Sequence, residues 1–277
     1  MSLLDRVLRR PGTSWPTDRA VRFVTSFNDV FYDASGRRCV ETFREHNPGF
    51  EIWTYVEAEH PARLTAMEAQ LDALGATVVG LDGLPLLEEF RQVAHDVIPK
   101  GMGGSAPDEL FPGEGPQTGD VWFRKNMFRW FRKIVALDHA ARDFDEVLCW
   151  MDCDCFSKAP LPREKLERAF GGTGVFIMKG NRVHSETGLV GYDLAEPGVR
   201  WLLDAMKQHY MSRGFERLDR WDDCITLDIH LADARAPRHR DLAKRAVGHG
   251  DVLPTTMLAP YLEHQKGLHS RGLGLVR

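Results

Sequence analysis

Residues 50–82 constrain the architecture of this chain more than any other stretch: FEIWTYVE (50–57), PARLTAMEAQLDALG (61–75) and ATVVGLD (76–82) follow one another almost without a break. The first run is short and dense in aromatic and β-branched residues, which suits a strand. In the second, Leu64, Met67, Leu71 and Leu74 recur at helical spacing, Pro61 suits a first turn and Gly75 an end, so the spacing predicts a helix. The third run is a strand again. Strand, helix and strand at this spacing require a crossover, and crossovers build parallel sheet. AVRFVTSF (20–27), EVLCWMDCDC (146–155) and GTGVFIMKG (172–180) supply further strands. The expected fold is α/β: a single compact domain with a mainly parallel central sheet flanked by helices.

Two other stretches matter to the organisation. Residues 99–119, PKGMGGSAPDELFPGEGPQTG, are rich in glycine and proline and lack periodicity, so they read either as a lid or as a passive insertion. A long helix is expected over 121–142. Phe123, Met127, Phe131, Ile134 and Val135 share one face, and Lys125, Arg129, Arg132 and Lys133 the other. Those basic residues read as a solvated face. Arg124 is the exception, because its border position near the helix start lets it aim inward. Later helices are expected from Pro197 to about Arg213, and over 222–234.

Charge narrows the partners. Lys and Arg total 36 against 40 Asp and Glu, a formal net charge of -4, which gives no general attraction to nucleic acid or an anionic membrane. Anionic ligands must then be met by local basic groups. The sequence shows no signal peptide and no run able to span a bilayer. Its five cysteines lack paired CxxC spacing, so reduced thiols in a cytoplasmic compartment are expected.

The most specific feature is CWMDCDCFSKAPLP (149–162). If the strand continues through it, Asp152 and Asp154 share one face, while Cys149, Cys153 and Cys155 point the other way as small buried residues. The C-terminal ends of strands in open α/β sheets are where ligands bind. Neighbouring carboxylates raise each other's pKa unless a cation lies between them. Mg²⁺ and Mn²⁺ want oxygen ligands and are often held by one or two carboxylates plus substrate phosphates. The alternative is one aspartate capping a turn and the other solvated.

A D-x-D at a strand end, preceded by a βαβ half, resembles the GT-A glycosyltransferases, which use a nucleotide-sugar donor and a divalent metal. WFRKIVAL (130–137) lies just before the motif, as in many of those enzymes. HSETGLVGYDL (184–194) resembles their sugar and acceptor segment. RWDDCITLD (220–228) and EHQKG (263–267) resemble the acceptor-side acid and the late histidine that completes the metal site. The likeness runs from about 20 to 270 and leans toward bacterial and phage polysaccharide-type transferases.

That resemblance implies a nucleotide-sugar-binding half over 18–158, ending in the D-x-D. It also implies an acceptor-side half over 159–277, whose C-terminal tail closes over the donor. The reaction implied is transfer of a sugar from a UDP- or GDP-type donor to a saccharide or other hydroxyl acceptor. Mn²⁺ or Mg²⁺ would be held by Asp152, Asp154 and His264, with Asp154 the direct ligand, Asp152 also able to meet the ribose, and His269 the rival histidine. A histidine ligand favours Mn²⁺. Arg124, Lys266 and Arg271 would face the diphosphate. Thr25, Ser26, Asn28 and Asp82 would touch base or ribose, or else form a small polar turn and a strand end. Asp223, with Asp222 beside it, is the candidate base, unless both only cap the following helix. Glu186 is a candidate for a sugar hydroxyl or a base. Inversion and retention both remain open.

Three other readings compete. A metal-dependent nucleotidyl- or phosphotransferase commonly carries a glycine-rich phosphate loop after the first strand, and TSFNDVFYDASG has none. A glycoside hydrolase needs a carboxyl acting as acid, for which nothing nearby speaks. A non-catalytic nucleotide-sugar-binding protein on the same fold is the third.

Overall fold

The computed structural model describes residues 19–97, 124, 126–248 and 250–265. The 99–119 stretch, Lys125, Lys266, His269 and Arg271 lie outside them. The strands are β1 (Val21–Asn28), β2 (Glu51–Glu57), β3 (Thr77–Gly80), β4 (Val147–Met151), β5 (Cys155–Ser157), β6 (Val175–Met178), β7 (Glu186–Asp193), β8 (His239–Asp241) and β9 (Leu262–His264). Seven form one sheet in the order β3-β2-β1-β4-β7-β6-β8, and β5 pairs with β9 in a small second sheet. Within the large sheet only β7 runs against its neighbours. The fold is therefore the mixed, mainly parallel, GT-A-like α/β sheet expected from the sequence, and the sheet continues across residue 158.

The helices are α1 (Arg37–His46), α2 (Pro61–Ala73), α3 (Pro85–Val93), α4 (Met127–Ala140), α5 (Arg163–Phe170), α6 (Val199–Met211) and α7 (Asp223–Leu231). Their placement follows from side-chain alternation in the strands. Val24, Leu148 and Trp150 meet Phe131, Ile134, Leu202 and Met206 of α4 and α6 on one face of the sheet. Phe23, Cys149 and Met151 meet Val40, Phe43, Met67 and Leu71 of α1 and α2 on the other. All five residues of β4 are buried, as befits a strand covered on both faces. Gly75 ends α2 with φ +78°, a conformation that glycine adopts without a steric penalty. Among the described residues no helix is long and apolar enough to cross a membrane.

Three expectations are corrected. The strand over 146–155 is broken: β4 ends at Met151, the chain turns with the Cys155 N–H on the Asp152 carbonyl at 2.9 Å, and β5 leaves for β9. Same-face alternation therefore does not govern Asp152 and Asp154, which occupy the turn. Aspartate suits such a turn because its backbone and side chain satisfy each other locally. Cys153 does not point away from them; it lines the same cleft, with the Ser35 hydroxyl 3.6 Å from its sulfur. Nor is the basic face of α4 solvated, since Arg132 and Lys133 are only 6% and 7% exposed. Packing on both sides of α4 turns that face into a wall of the cleft.

Candidate active site

A cleft of about 400 Å³ opens at the C-terminal ends of β1, β2 and β4. Asp152, Asp154, Glu186, Asp222, Asp223, His264, Ser26 and Asn28 all line it, as do Glu57, Arg129, Arg132 and Lys133.

The aspartate turn is fixed from β7. The Gly188 carbonyl accepts the Asp152 N–H at 2.8 Å and lies 3.6 Å from the Cys155 thiol. Pairing of Cys155 with His264 across β5 and β9 then carries His264 to the turn, and the Gln265 N–H donates to the Asp154 carbonyl at 2.9 Å. His264 Nε2 lies 3.2 Å from Asp154 Oδ1, and its Nδ1 lies 3.5 Å from Asp251 Oδ1. Burial works against the imidazolium, but the flanking Asp154 and Asp251 prevail, and its pKa is pushed up to about 10. Gly188 permits a close approach: a Cβ there would sit 3.1 Å from His264 Cε1, so the imidazole would have to give by a few tenths of an ångström.

Ligand atoms of Asp154, Cys155 and His264 lie within 4.8 Å of one another, so the residues fit a divalent ion. Burial pushes the Cys155 thiol well above its ordinary range, which favours the thiol form. The remaining donors are the Asp154 carboxylate and, once a metal displaces its proton, the His264 imidazole, a set that suits Mn²⁺.

Asp152 is held differently. Its Oδ1 accepts the Trp150 indole N–H at 2.5 Å and lies 3.1 Å from Lys133 Nζ. The same ammonium lies 2.6 Å from Asp223 Oδ2 and donates to the Thr187 carbonyl at 3.0 Å. The Thr187 carbonyl thus takes its hydrogen bond, while the two carboxylates flank the ammonium as ion-pair partners. Burial opposes the Lys133 charge, but Asp152 and Asp223 outweigh it and hold its pKa above the ordinary lysine value. Burial, with Asp154 and Asp223, pushes the Asp152 carboxyl up while Lys133 draws it down. The cation beside Asp152 is thus one that the chain itself supplies.

Asp222 caps α7, its Oδ1 accepting the Ile225 N–H at 3.0 Å while Arg220 Nε donates to Oδ2 at 3.1 Å. Asp223 is the first residue of that helix and 1% exposed. Glu186 opens β7 and is ion-paired with Arg182.

At the opposite end of the cleft, Glu57 closes β2 in register with Asn28. Its Oε1 lies 2.5 Å from Arg132 Nε. Asn28 accepts the Phe31 N–H at 2.9 Å, so it also caps the turn after β1. The Arg129 guanidinium lies over the Phe31 ring at 4.7 Å, and burial together with Arg132 lowers its pKa to about 10. Thr25 is buried and Arg124 half-buried, and neither lines the cleft. Asp82 also lies away from it, paired with Arg91 at 2.7 Å.

Sequence reasoning passed over Lys133, Arg129, Arg132 and Glu57 as site residues. Spacing offered a signal for the first three, since i, i+3 and i+4 share a helix face. Glu57 is the last residue of a strand whose C-terminal end lies at the same sheet edge.

No family model matches the chain, and no curated protein matches it. Solved structures do resemble it. The WbbM bifunctional glycosyltransferase aligns over 91% of this chain and 47% of its own length, at TM-score 0.50 and 14% identity. This chain thus spans about half of that protein. Mouse xyloside xylosyltransferase 1 aligns over 83% of this chain and 88% of its own, at TM-score 0.48 and 10% identity. The glycosyltransferase GlyE of Streptococcus pneumoniae aligns over 82% and 45%, at TM-score 0.44 and 12% identity. What is shared at such identities is the fold.

Proposed function

We propose that the chain is a metal-dependent glycosyltransferase, moving a sugar from a nucleoside-diphosphate sugar to a hydroxyl acceptor. The observation that carries this is one cleft holding both the Asp154–His264 pair and the Lys133–Asp223 ion pair. A divalent ion held by Asp154 and His264, with Asp152 at its edge, would offset the charge that develops on the departing diphosphate.

The chain's own residues supply the rest. Arg129 and Arg132 give the cleft wall positive charge where a diphosphate needs it. Asp223, held by Lys133, is the acceptor-side carboxylate. As the bond from the anomeric carbon to the phosphate oxygen breaks and a new one forms to the acceptor oxygen, the hydroxyl proton passes to Asp223, and the nucleoside diphosphate leaves with the bonding electron pair. The nucleoside lies toward β1 and β2, and the acceptor toward β7 and α7. Five unpaired cysteines fit a reducing, cytoplasmic setting.

A panel of nucleotide sugars with Mn²⁺, assayed for diphosphate release, tests the reading. Release from one donor class supports it, and no release from any donor with any acceptor offered counts against it.

A further inference from the structure

Two histidines outside the cleft stand together without polar partners. His209 lies in the last turn of α6 and His230 in the last turn of α7. Both Nε2 atoms are buried, and neither has a hydrogen-bond partner among the described residues. An unpaired buried polar atom is costly, and two in neighbouring rings call for a shared partner. Of the charged groups that bear on His230, Asp233 and Arg235 engage each other, with Nε 2.9 Å from Oδ1 and Nη2 2.8 Å from Oδ2.

The two rings are spaced as ligands of one ion are. Their centroids lie 5.4 Å apart, with the planes at 81°. A zinc–nitrogen bond is about 2.0 Å long, so two imidazoles on a tetrahedral ion have ring centres about 5 Å apart. Packing holds both rings. A Cβ at Gly214 would come 3.0 Å from His209 Nδ1, so backbone lies against that ring, and Trp201 meets the His230 ring at 6.3 Å and 82°. Burial lowers both pKa values, which leaves each imidazole uncharged at neutral pH with a lone pair to give. The C-terminal end of a helix carries partial negative charge, and here two such ends favour a cation. Both residues are half-buried, so an ion has a route in from solvent.

We propose that His209 and His230 form a second metal site, which takes a late first-row divalent ion such as Zn²⁺, Ni²⁺ or Co²⁺ and cross-links α6 to α7. Imidazole suits these ions, and Mn²⁺ stands lowest in the affinity order, so the ion of the cleft does not fill this site. Two protein nitrogens hold the ion and solvent completes its coordination. The inference goes beyond the transferase reading and does not rest on it.

Titration calorimetry of Zn²⁺ into the full chain tests it, on wild type, His209→Asn, His230→Asn and Asp154→Ala. Asp154→Ala is expected to keep a Zn²⁺ site, because the histidine pair lies outside the cleft. In each histidine variant the affinity of that site should fall by about tenfold or more, at least the loss seen when a residue supporting a metal ligand is altered. Mn²⁺ affinity should stay at the wild-type value in both histidine variants, which separates loss of this site from loss of the fold. Should neither variant fold, X-ray absorption of Zn²⁺ bound to Asp154→Ala decides. Two imidazole ligands support the site, whereas a thiolate or fewer than two imidazoles overturns it. Unchanged Zn²⁺ affinity in either folded histidine variant overturns it too, as does the absence of Zn²⁺ binding in Asp154→Ala. Each of these failures leaves the transferase reading standing, since that reading depends on Asp154 and His264 in the cleft.

Discussion

Lys133 Nζ lies 2.6 Å from Asp223 Oδ2, and both side chains are almost wholly buried. One residue comes from α4, which precedes the aspartate turn, the other from α7. The ammonium also lies 3.1 Å from Asp152, so a single charge ties the two sides of the cleft together. A buried charge with partners on two elements is costly to strip of either one.

Lys133→Met should therefore leave Asp152 and Asp223 uncompensated. The expected loss is about 3–5 kcal/mol of stability, together with turnover. Urea denaturation checks the first and diphosphate release the second. Lys133→Met combined with Asp223→Asn should regain part of the stability but no turnover. Wild-type stability in the single variant would show that the pair is not energetically coupled.

The adjacent aspartates of α7 should separate cleanly. Asp222→Ala removes a cap and should cost about 1 kcal/mol of stability. Asp223→Asn keeps the shape and should cut turnover by about 100-fold or more, while donor affinity stays close to wild type. Full activity in Asp223→Asn would remove it from the mechanism.

Gly188→Ala places a methyl 3.1 Å from His264 Cε1 and 3.5 Å from a Glu186 oxygen. The imidazole must give way. Mn²⁺ affinity measured by electron paramagnetic resonance should fall by about tenfold or more, as when a residue orienting a metal ligand is altered. An unchanged affinity would mean that His264 needs no support from β7.

Acid stability should depend on His209. Burial and the neighbouring His230, whose ring centroid lies 5.4 Å away, lower its pKa from 6.5 to about 4. The unfolded chain then takes up this proton before the folded one does, so stability present at neutral pH is lost as pH falls from about 6.5 toward 4. Denaturation curves between about pH 7.5 and 4.5 should fall more steeply for wild type than for His209→Gln. Parallel curves would contradict the assignment.

Much of the frame was legible in the chain. The stripe from Leu64 to Leu74 and the β-branched runs around it give β2, α2 and β3 directly, and the parallel sheet follows from them. The break after Met151 was not legible, because VLCWMDCDC keeps period-two alternation through the turn. What marks the break is the turn closed by the Cys155 N–H on the Asp152 carbonyl, held in place by Gly188 on β7 and by the β5–β9 ladder, partners distant in sequence. The basic face of α4 was visible as a face, but its burial depends on Glu57, brought there by the sheet, and Asp223, brought there by α7. His264 was found by its place after the aspartate motif, and the β5–β9 ladder explains why it arrives there.

The most direct test is titration of Mn²⁺, with and without UDP or GDP, into wild type and Asp154→Ala. A single ion whose affinity for wild type rises with the nucleotide present, and which is lost in the variant, is the predicted result. Equal Mn²⁺ binding by the two proteins would contradict the assignment of Asp154 and His264 as the seat of the metal.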